Sequence, residues 1–107
     1  MELSYLSSRI REVAMEHGIA TEALGPDLAR SLRSVIADMR EAMYLGELAD
    51  LPEIMMEGET IKLRFHLGPG TWLVVQPIGA NSMTSDGWRQ SHRIKLLDIC
   101  RQGLISA

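Results

Sequence analysis

The sequence of 107 residues contains one cysteine, Cys100, and no long apolar run. A single cysteine excludes an internal disulfide, which suits a reducing cytoplasm. No apolar run approaches the ~18 residues of a membrane span, and the first residues lack the charged start and apolar segment of a secretory signal. We therefore expect a cytoplasmic protein without membrane contact, folded as a single domain over residues 1–107.

Patterns typical of metal sites and of covalent catalysis are also missing. The three histidines, His17, His66 and His92, are not spaced as metal ligands, and Cys100 has no nearby partner. There is neither a glycine-rich phosphate loop followed by a helix nor a nucleophile elbow. The sequence thus argues against a zinc site, does not support a serine or cysteine nucleophile, and leads us to expect no cofactor.

The net charge of −3 argues against a nucleic-acid-binding protein, but the charges are unevenly distributed. Residues 1–60 hold twelve acids and five bases, whereas residues 61–107 hold two acids and six bases. Such asymmetry indicates a polyanionic partner for the basic half. The alternative is that these Lys and Arg residues are ordinary solvated or edge-protecting residues of strands.

Two helices are expected in the first half of the chain. The first covers residues 9–17, with Ser7 or Ser8 as its N-cap and Gly18 at its end. The second begins at Pro26, because proline is favoured in a first turn, and ends near residue 46. Its apolar residues recur at steps of four, three, four and four, as in an amphipathic helix. They are Leu28, Leu32, Val35, Met39 and Met43.

The stretch Ile61–Gln76 predicts a β-hairpin. Apolar residues at odd positions of its first arm alternate with Lys62, Arg64 and His66 at even positions. Because successive strand side chains point to opposite faces, this arm has one apolar face and one cationic face. The turn Gly68-Pro69-Gly70 separates it from a second apolar arm.

A last strand is expected over Arg93–Cys100. Ile94 and Leu96 share one of its faces, while Leu97 and Ile99 fall on the other, so we expect this strand to be buried on both sides. Two N-terminal helices followed by antiparallel strands predict an α+β fold, in which the helices pack on one face of a small antiparallel sheet of three to four strands. The other sheet face then gathers the basic residues of the strands.

The cationic face suits RNA cleavage. Attack by a 2′-hydroxyl needs a base near that hydroxyl, a cation near the phosphate and an acid for the leaving oxygen. Histidine titrates near neutrality, and Lys or Arg stabilises added negative charge. Lys62, Arg64 and His66 follow one another at about 7 Å, close enough to hold one phosphate. Trp72 or Trp88 could stack on a base, although a solvent-exposed histidine and a core tryptophan are the ordinary alternatives for His66 and Trp72.

Short sequence motifs along nearly the whole chain occur in a recognisable order and spacing. They are Met1–Tyr5 with Ser8–Ile10 and Arg11, Gly25 with Leu28-Ala29-Arg30-Ser31-Leu32, Leu45-Gly46-Glu47-Leu48-Ala49-Asp50-Leu51-Pro52, Trp72-Leu73-Val74-Val75-Gln76-Pro77, and Asp86-Gly87-Trp88 with His92–Ile99. In this order and spacing they resemble the RelE/ParE superfamily of small bacterial toxins, and most closely its HigB-like, or plasmid-maintenance killer, branch.

The resemblance implies a RelE-like fold of the microbial-RNase type and the toxin component of a type II toxin–antitoxin system. Such a toxin is a metal-independent endoribonuclease that cleaves ribosome-associated mRNA and inhibits translation. A cognate antitoxin, often a helix-turn-helix DNA-binding protein, holds it inactive. On this basis His66 is expected as acid or base. The catalytic candidates are Arg64, His66, His92 and Arg93, and the RNA-binding candidates are Lys62, Trp72, Arg89 and Lys95.

The sequence departs from the family pattern at several positions. Leu73 stands where the family's strand has an arginine, and no histidine stands around Met55–Glu59. The terminal D-x-H of the family is replaced by Cys100, Arg101 and Gln102. The alternative is therefore a catalytically inactive or diverged RelE-fold protein that acts as a protein- or nucleic-acid-binding module.

Overall fold

The computed structural model describes residues 1–48, 52–58, 60–79 and 87–101. It has three α-helices, α1 (Ser8–Met15), α2 (His17–Leu24) and α3 (Pro26–Glu41). It has five strands, β1 (Glu2–Tyr5), β2 (Glu53–Glu57), β3 (Thr60–Gly68), β4 (Thr71–Ile78) and β5 (Arg93–Arg101). Two short 3₁₀ turns, Leu45–Glu47 and Gly87–Gln90, complete the described elements.

The five strands form one sheet in the order β1-β5-β4-β3-β2. All neighbours are antiparallel except β1 and β5, which are parallel. The α+β class is therefore confirmed, but three helices are present instead of the two expected, and the sheet is mixed with five strands instead of the expected antiparallel three to four. β2, which the sequence did not predict, lies at one edge of the sheet, and the short first strand β1 lies at the other. Edge strands are held by backbone pairing on one side more than by burial, so they need no regular apolar pattern.

The first helix begins as expected and ends earlier. The Ser7 side chain caps it, since its Oγ accepts a hydrogen bond of 3.2 Å from the backbone N–H of Ile10. At Glu16 the backbone becomes extended, with φ −112° and ψ 107°, which separates α1 from α2. The expectation that Gly18 ends the helix is wrong, because Gly18 lies inside α2, whose Ala20 packs in the core.

The second expected helix is α3. Pro26 is its first residue, as predicted, but it ends at Glu41 rather than near residue 46. Its buried residues are Ala29, Leu32, Ile36 and Met39. Leu32 and Met39 of the expected stripe are thus confirmed as core residues. Met43 lies beyond the end of the helix and is 64% exposed.

The two methionines of this segment are expected to differ sharply in their contribution to stability. Met39 is fully buried, so Met39→Ala should lower the free energy of unfolding by about 2–5 kcal/mol. Met43→Ala, the matched control, removes an exposed side chain and should change it by less than about 0.5 kcal/mol. Urea denaturation measures both values. Equal losses would contradict this assignment of the core.

A single hydrophobic cluster joins the helices to one face of the sheet. The buried residues of all three helices belong to the same cluster as the odd-numbered residues of β3. Ile94 and Leu96 of β5, both fully buried, also belong to it. The expected packing of helices on one sheet face is therefore present. We call the opposite side of the sheet the outer face, defined by Lys62, Arg64, His66, Trp72, Lys95 and Cys100.

A β-bulge in β5 changes which residues reach the outer face. Leu97 has no partner in the register of β4, since the residues on either side of it pair with adjacent residues of that strand. An inserted residue reverses the alternation beyond it. Ile99 therefore packs against the core cluster, and the expectation that it lies on the other face is wrong. Asp98 and Cys100 take the outer face instead.

Candidate functional site

Three of the candidate residues meet on the outer face. His66 of β3 lies directly opposite Trp72 of β4, and Arg64 lies opposite Val74. The Arg64 guanidinium carbon is 4.6 Å from the centre of the Trp72 ring, in cation–π geometry. The His66 ring centroid is 6.1 Å from that of Trp72, and the rings meet edge to face at 73°. Trp72 therefore lies beside both a guanidinium group and an imidazole ring.

Each basic residue in this part of β3 has a carboxylate partner on β2. Arg64 Nε donates to Glu53 Oε2 at 2.7 Å, and its Nη2 lies 2.6 Å from the same oxygen. Lys62 Nζ lies 2.5 Å from Glu57 Oε2. Sequence reasoning missed both glutamates because the segment before β3 was not assigned to a strand. The signal was available, since residues 53 and 57 share a face of any strand that passes through them.

The two tryptophans have different environments. Trp72 is partly exposed on the outer face, so the alternative that it is a core aromatic is wrong. Trp88 is 1% exposed and belongs to the core cluster, so it is not available to stack on a base. Arg89 lies beside it, with its guanidinium carbon 5.4 Å from the centre of the Trp88 ring. Only Trp72 therefore offers a stacking surface among the two.

His92 and Arg93 form a second cluster at the start of β5. The His92 ring lies 4.5 Å from the ring of Tyr44, and its Nδ1 is 3.2 Å from the backbone oxygen of Met43. Arg93 Nε is 3.9 Å from a carboxylate oxygen of Glu2. The side chains of His92 and Arg93 are both exposed. Arg89 and His92 line the same groove at this end of the sheet.

The structure does not bring the four catalytic candidates together. Trp72, the neighbour of His66, pairs with Cys100 at one end of β5, whereas Arg93 pairs with Ile78. Residues 72 and 78 are separated by about 20 Å along β4. Arg64 and His66 therefore belong to one site, and His92 and Arg93 belong to another.

Lys95 lies between the two clusters. It pairs with Gln76 of β4, while Lys62 precedes Leu63, the partner of Val75. Lys62 and Lys95 are thus nearly level on strands separated by β4, at a distance of about 10 Å. The expectation that the last strand extends the basic face is confirmed. The basic residues form a band across the sheet rather than a single point.

Cys100 lies on the outer face opposite Trp72 but is poorly suited to nucleophilic attack. Partial burial raises the pKa of its thiol, and the nearby carboxylate of Asp98 raises it further. The positive charges of Arg64 and Lys62 act in the opposite direction and do not outweigh these effects. Because the thiolate is the reactive form, the raised pKa lowers the reactivity of Cys100 near neutral pH.

The influence of Asp98 on this thiol is directly measurable. Alkylation of Cys100 by iodoacetamide should be slow at neutral pH and should accelerate above about pH 9, as the thiolate forms. Asp98→Asn removes a negative charge that raises the thiol pKa, so it should increase the alkylation rate at pH 8. The rates of the two urea-unfolded chains provide the control and should agree. Identical rates for the folded proteins would refute the effect of Asp98.

Within the described residues, no group of three His, Cys, Asp or Glu side chains is arranged to hold a metal ion. In the same part of the chain, no helix is long and apolar enough to cross a membrane. Comparisons with known proteins find no matching family model, no similar curated protein and no similar solved structure. The proposals below therefore depend on the geometry of the outer face and on the family resemblance of the sequence.

Proposed function

We propose that this protein is the toxin component of a type II toxin–antitoxin system, an endoribonuclease of RelE-like, microbial-RNase-like fold. In this proposal it acts in the cytoplasm on ribosome-associated mRNA and inhibits translation. One observation carries the proposal. Arg64 and His66 both contact Trp72 on the outer face, which places a cation, an acid–base group and a stacking surface within one nucleotide's reach.

The reaction that fits this cluster is transesterification at a phosphodiester. The 2′-hydroxyl oxygen attacks phosphorus, the bond from phosphorus to the 5′ oxygen breaks, and a 2′,3′-cyclic phosphate and a 5′-hydroxyl form. His66 moves one of the two protons, either from the attacking hydroxyl or to the leaving oxygen, and solvent water moves the other. Arg64 stabilises the negative charge that builds on the phosphate. Trp72 stacks on a base and fixes the position of the chain being cut.

The remaining candidates bind the RNA on either side of the cut. Lys62 and Lys95 lie on the outer face beside the cluster and contact neighbouring phosphates in this proposal. His92, Arg93 and Arg89 are too distant to act on the same phosphate. We assign them to a more distant part of the mRNA or to ribosomal RNA, which a positively charged surface binds through its backbone.

Two observations favour the second candidate function, a diverged RelE-fold module that binds RNA or protein without cleaving it. Leu73, which stands where the family has an arginine, is fully buried in the core. Its side chain therefore lies on the side of the sheet away from the outer face. In addition, Arg64 and Lys62 already hold carboxylate partners. A binding module and an enzyme differ in whether RNA is cut.

The proposed activity requires an inhibitor in the cell. A cognate antitoxin, a helix-turn-helix DNA-binding protein, is the partner that the family resemblance implies. A short open reading frame next to the gene, encoding such a protein, would support the toxin over the binding module. Co-expression of that protein should then restore growth.

Induction of the chain in a bacterial host tests the proposal. We expect growth arrest with loss of mRNA, and we expect Arg64→Ala/His66→Ala to relieve both. The matched control is Arg30→Ala/His17→Ala, which removes the same residue types from the helical side, where Arg30 is likewise paired with a carboxylate. Arrest unaffected by the Arg64 and His66 changes would refute this site. The absence of arrest would favour the binding module.

A further inference from the structure

The outer face carries its own counterions, and they are unequally exposed. The Glu53 and Glu57 side chains are 63% and 70% exposed, whereas their partners Arg64 and Lys62 are 35% and 27% exposed. The two glutamates lie on the edge strand β2, and the two bases lie one strand further in. The acids therefore form a rim that can move away from the bases without uncovering the core.

Phosphate can replace these carboxylates. An exposed ion pair contributes little to stability, so little is lost when one opens. Arginine binds phosphate with the same bidentate geometry that it uses for carboxylate. The contact of Arg64 with Trp72 remains when Glu53 leaves, so the guanidinium keeps its orientation. Phosphate can therefore displace the two glutamates from a site in which Arg64 is already oriented by Trp72.

We propose that Glu53 and Glu57 are specificity-determining residues that restrict the outer face to RNA strands with at least two adjacent phosphates. This inference rests on the proposed function. A single phosphate displaces one glutamate and gains little, because it exchanges one ion pair for another. Two phosphates joined in one strand displace both glutamates in a single binding event, which makes the second exchange intramolecular.

The spacing of the two bases fits this requirement. Lys62 and Arg64 are two residues apart on one strand face, which is about 7 Å. This is the step between successive phosphates of an extended strand. A free mononucleotide also meets repulsion from whichever glutamate remains, since both carboxylates lie at the same edge. The rim therefore discriminates against nucleoside monophosphates.

The double variant Glu53→Gln/Glu57→Gln tests this inference. The amide has the shape of the carboxylate but not its charge. The probes are a hexanucleotide with 2′-O-methyl groups, which lacks the attacking hydroxyl, and adenosine 5′-monophosphate. We expect the variant to bind the hexanucleotide about tenfold more tightly and with a steeper salt dependence. It should also bind the mononucleotide measurably, which the wild-type protein should not.

The matched control is Glu12→Gln/Asp27→Asn, which changes the net charge equally on the helical side. We expect it to leave both affinities within about twofold, since charges beyond a Debye length are screened. Unchanged or weaker binding by Glu53→Gln/Glu57→Gln, with binding still lost in Arg64→Ala, would overturn the inference and leave the proposed function intact. If neither the wild type nor any variant binds the hexanucleotide, this inference and the RNA binding in the proposed function are both overturned.

Discussion

Replacing Arg64 by alanine is expected to slow mRNA cleavage by about 10²–10³-fold, the cost of removing one preorganised group that stabilises transition-state charge. The guanidinium carbon lies 4.6 Å from the centre of the Trp72 ring, and this contact remains when phosphate displaces Glu53. The orientation of Arg64 is therefore set before the phosphate arrives. Single-turnover cleavage of mRNA bound to purified ribosomes measures the effect on the chemical step.

Two further variants show what Arg64 contributes. Arg64→Lys keeps the positive charge but loses the planar fork and most of the ring contact, so its rate should lie between those of the wild type and Arg64→Ala. Arg30→Ala removes an arginine that is paired with Asp27 on the helical side and should leave the rate unchanged. A rate for Arg64→Ala equal to that of the wild type would exclude Arg64 from the reaction.

Replacing His66 by alanine is expected to slow cleavage by about 10²–10⁴-fold, the range for loss of a general acid or base. His66 is exposed beside Trp72, so the space left by its side chain is open to solvent. Imidazole added to His66→Ala should therefore enter this space and restore part of the rate. A structural role for the ring predicts no such rescue.

The same measurement on His92 shows which of the two clusters carries out the cleavage. His92→Ala should reduce cleavage by no more than about tenfold, because its cluster lies about 20 Å from Trp72 along the sheet. Its ring instead contacts Tyr44 and the Met43 carbonyl, at the start of β5. Loss of activity in His92→Ala but not in His66→Ala would transfer the active site to the second cluster.

Much of the fold follows from periodicity, and the exceptions have physical causes. The hairpin and the apolar face of β3 were predictable because alternation over Ile61–Leu67 requires one buried face. The edge strand β2 was harder to predict, because Met55 interrupts the alternation of Ile54 and Met56 with Glu53 and Glu57. Backbone pairing with β3 and cross-strand ion pairs hold this strand rather than a buried face, and Ile54 and Met56 remain 44% and 59% exposed.

The bulge in β5 is a second limit on prediction. Strict alternation places Leu97 and Ile99 on one face, and the extra residue at Leu97 moves Ile99 to the core. Only the register against β4 determines where the residue is inserted. The consequence for the site is that Asp98 and Cys100 reach the outer face, where Asp98 raises the thiol pKa.

The candidate site was predictable in part. Lys62, Arg64 and His66 share a face because they alternate on one strand, and this requires only local geometry. The position of Trp72 beside them depends on a β-bulge between His66 and Gly68, since Gly68 pairs with Thr71 but His66 pairs with Trp72. Without this bulge the turn would place Leu67 opposite Trp72, so the Gly-Pro-Gly turn alone does not predict the contact. The separation of His92 and Arg93 from this cluster depends on where β5 pairs along β4, which sequence spacing does not determine.

The most direct test of the proposed activity is cleavage of ribosome-bound mRNA by the purified protein. The proposed reaction predicts fragments ending in a 2′,3′-cyclic phosphate and a 5′-hydroxyl. It also predicts that Arg64→Ala/His66→Ala leaves the mRNA intact while Arg30→Ala/His17→Ala cuts it at the wild-type rate. Intact mRNA with the wild-type protein, or undiminished cleavage by Arg64→Ala/His66→Ala, would contradict it.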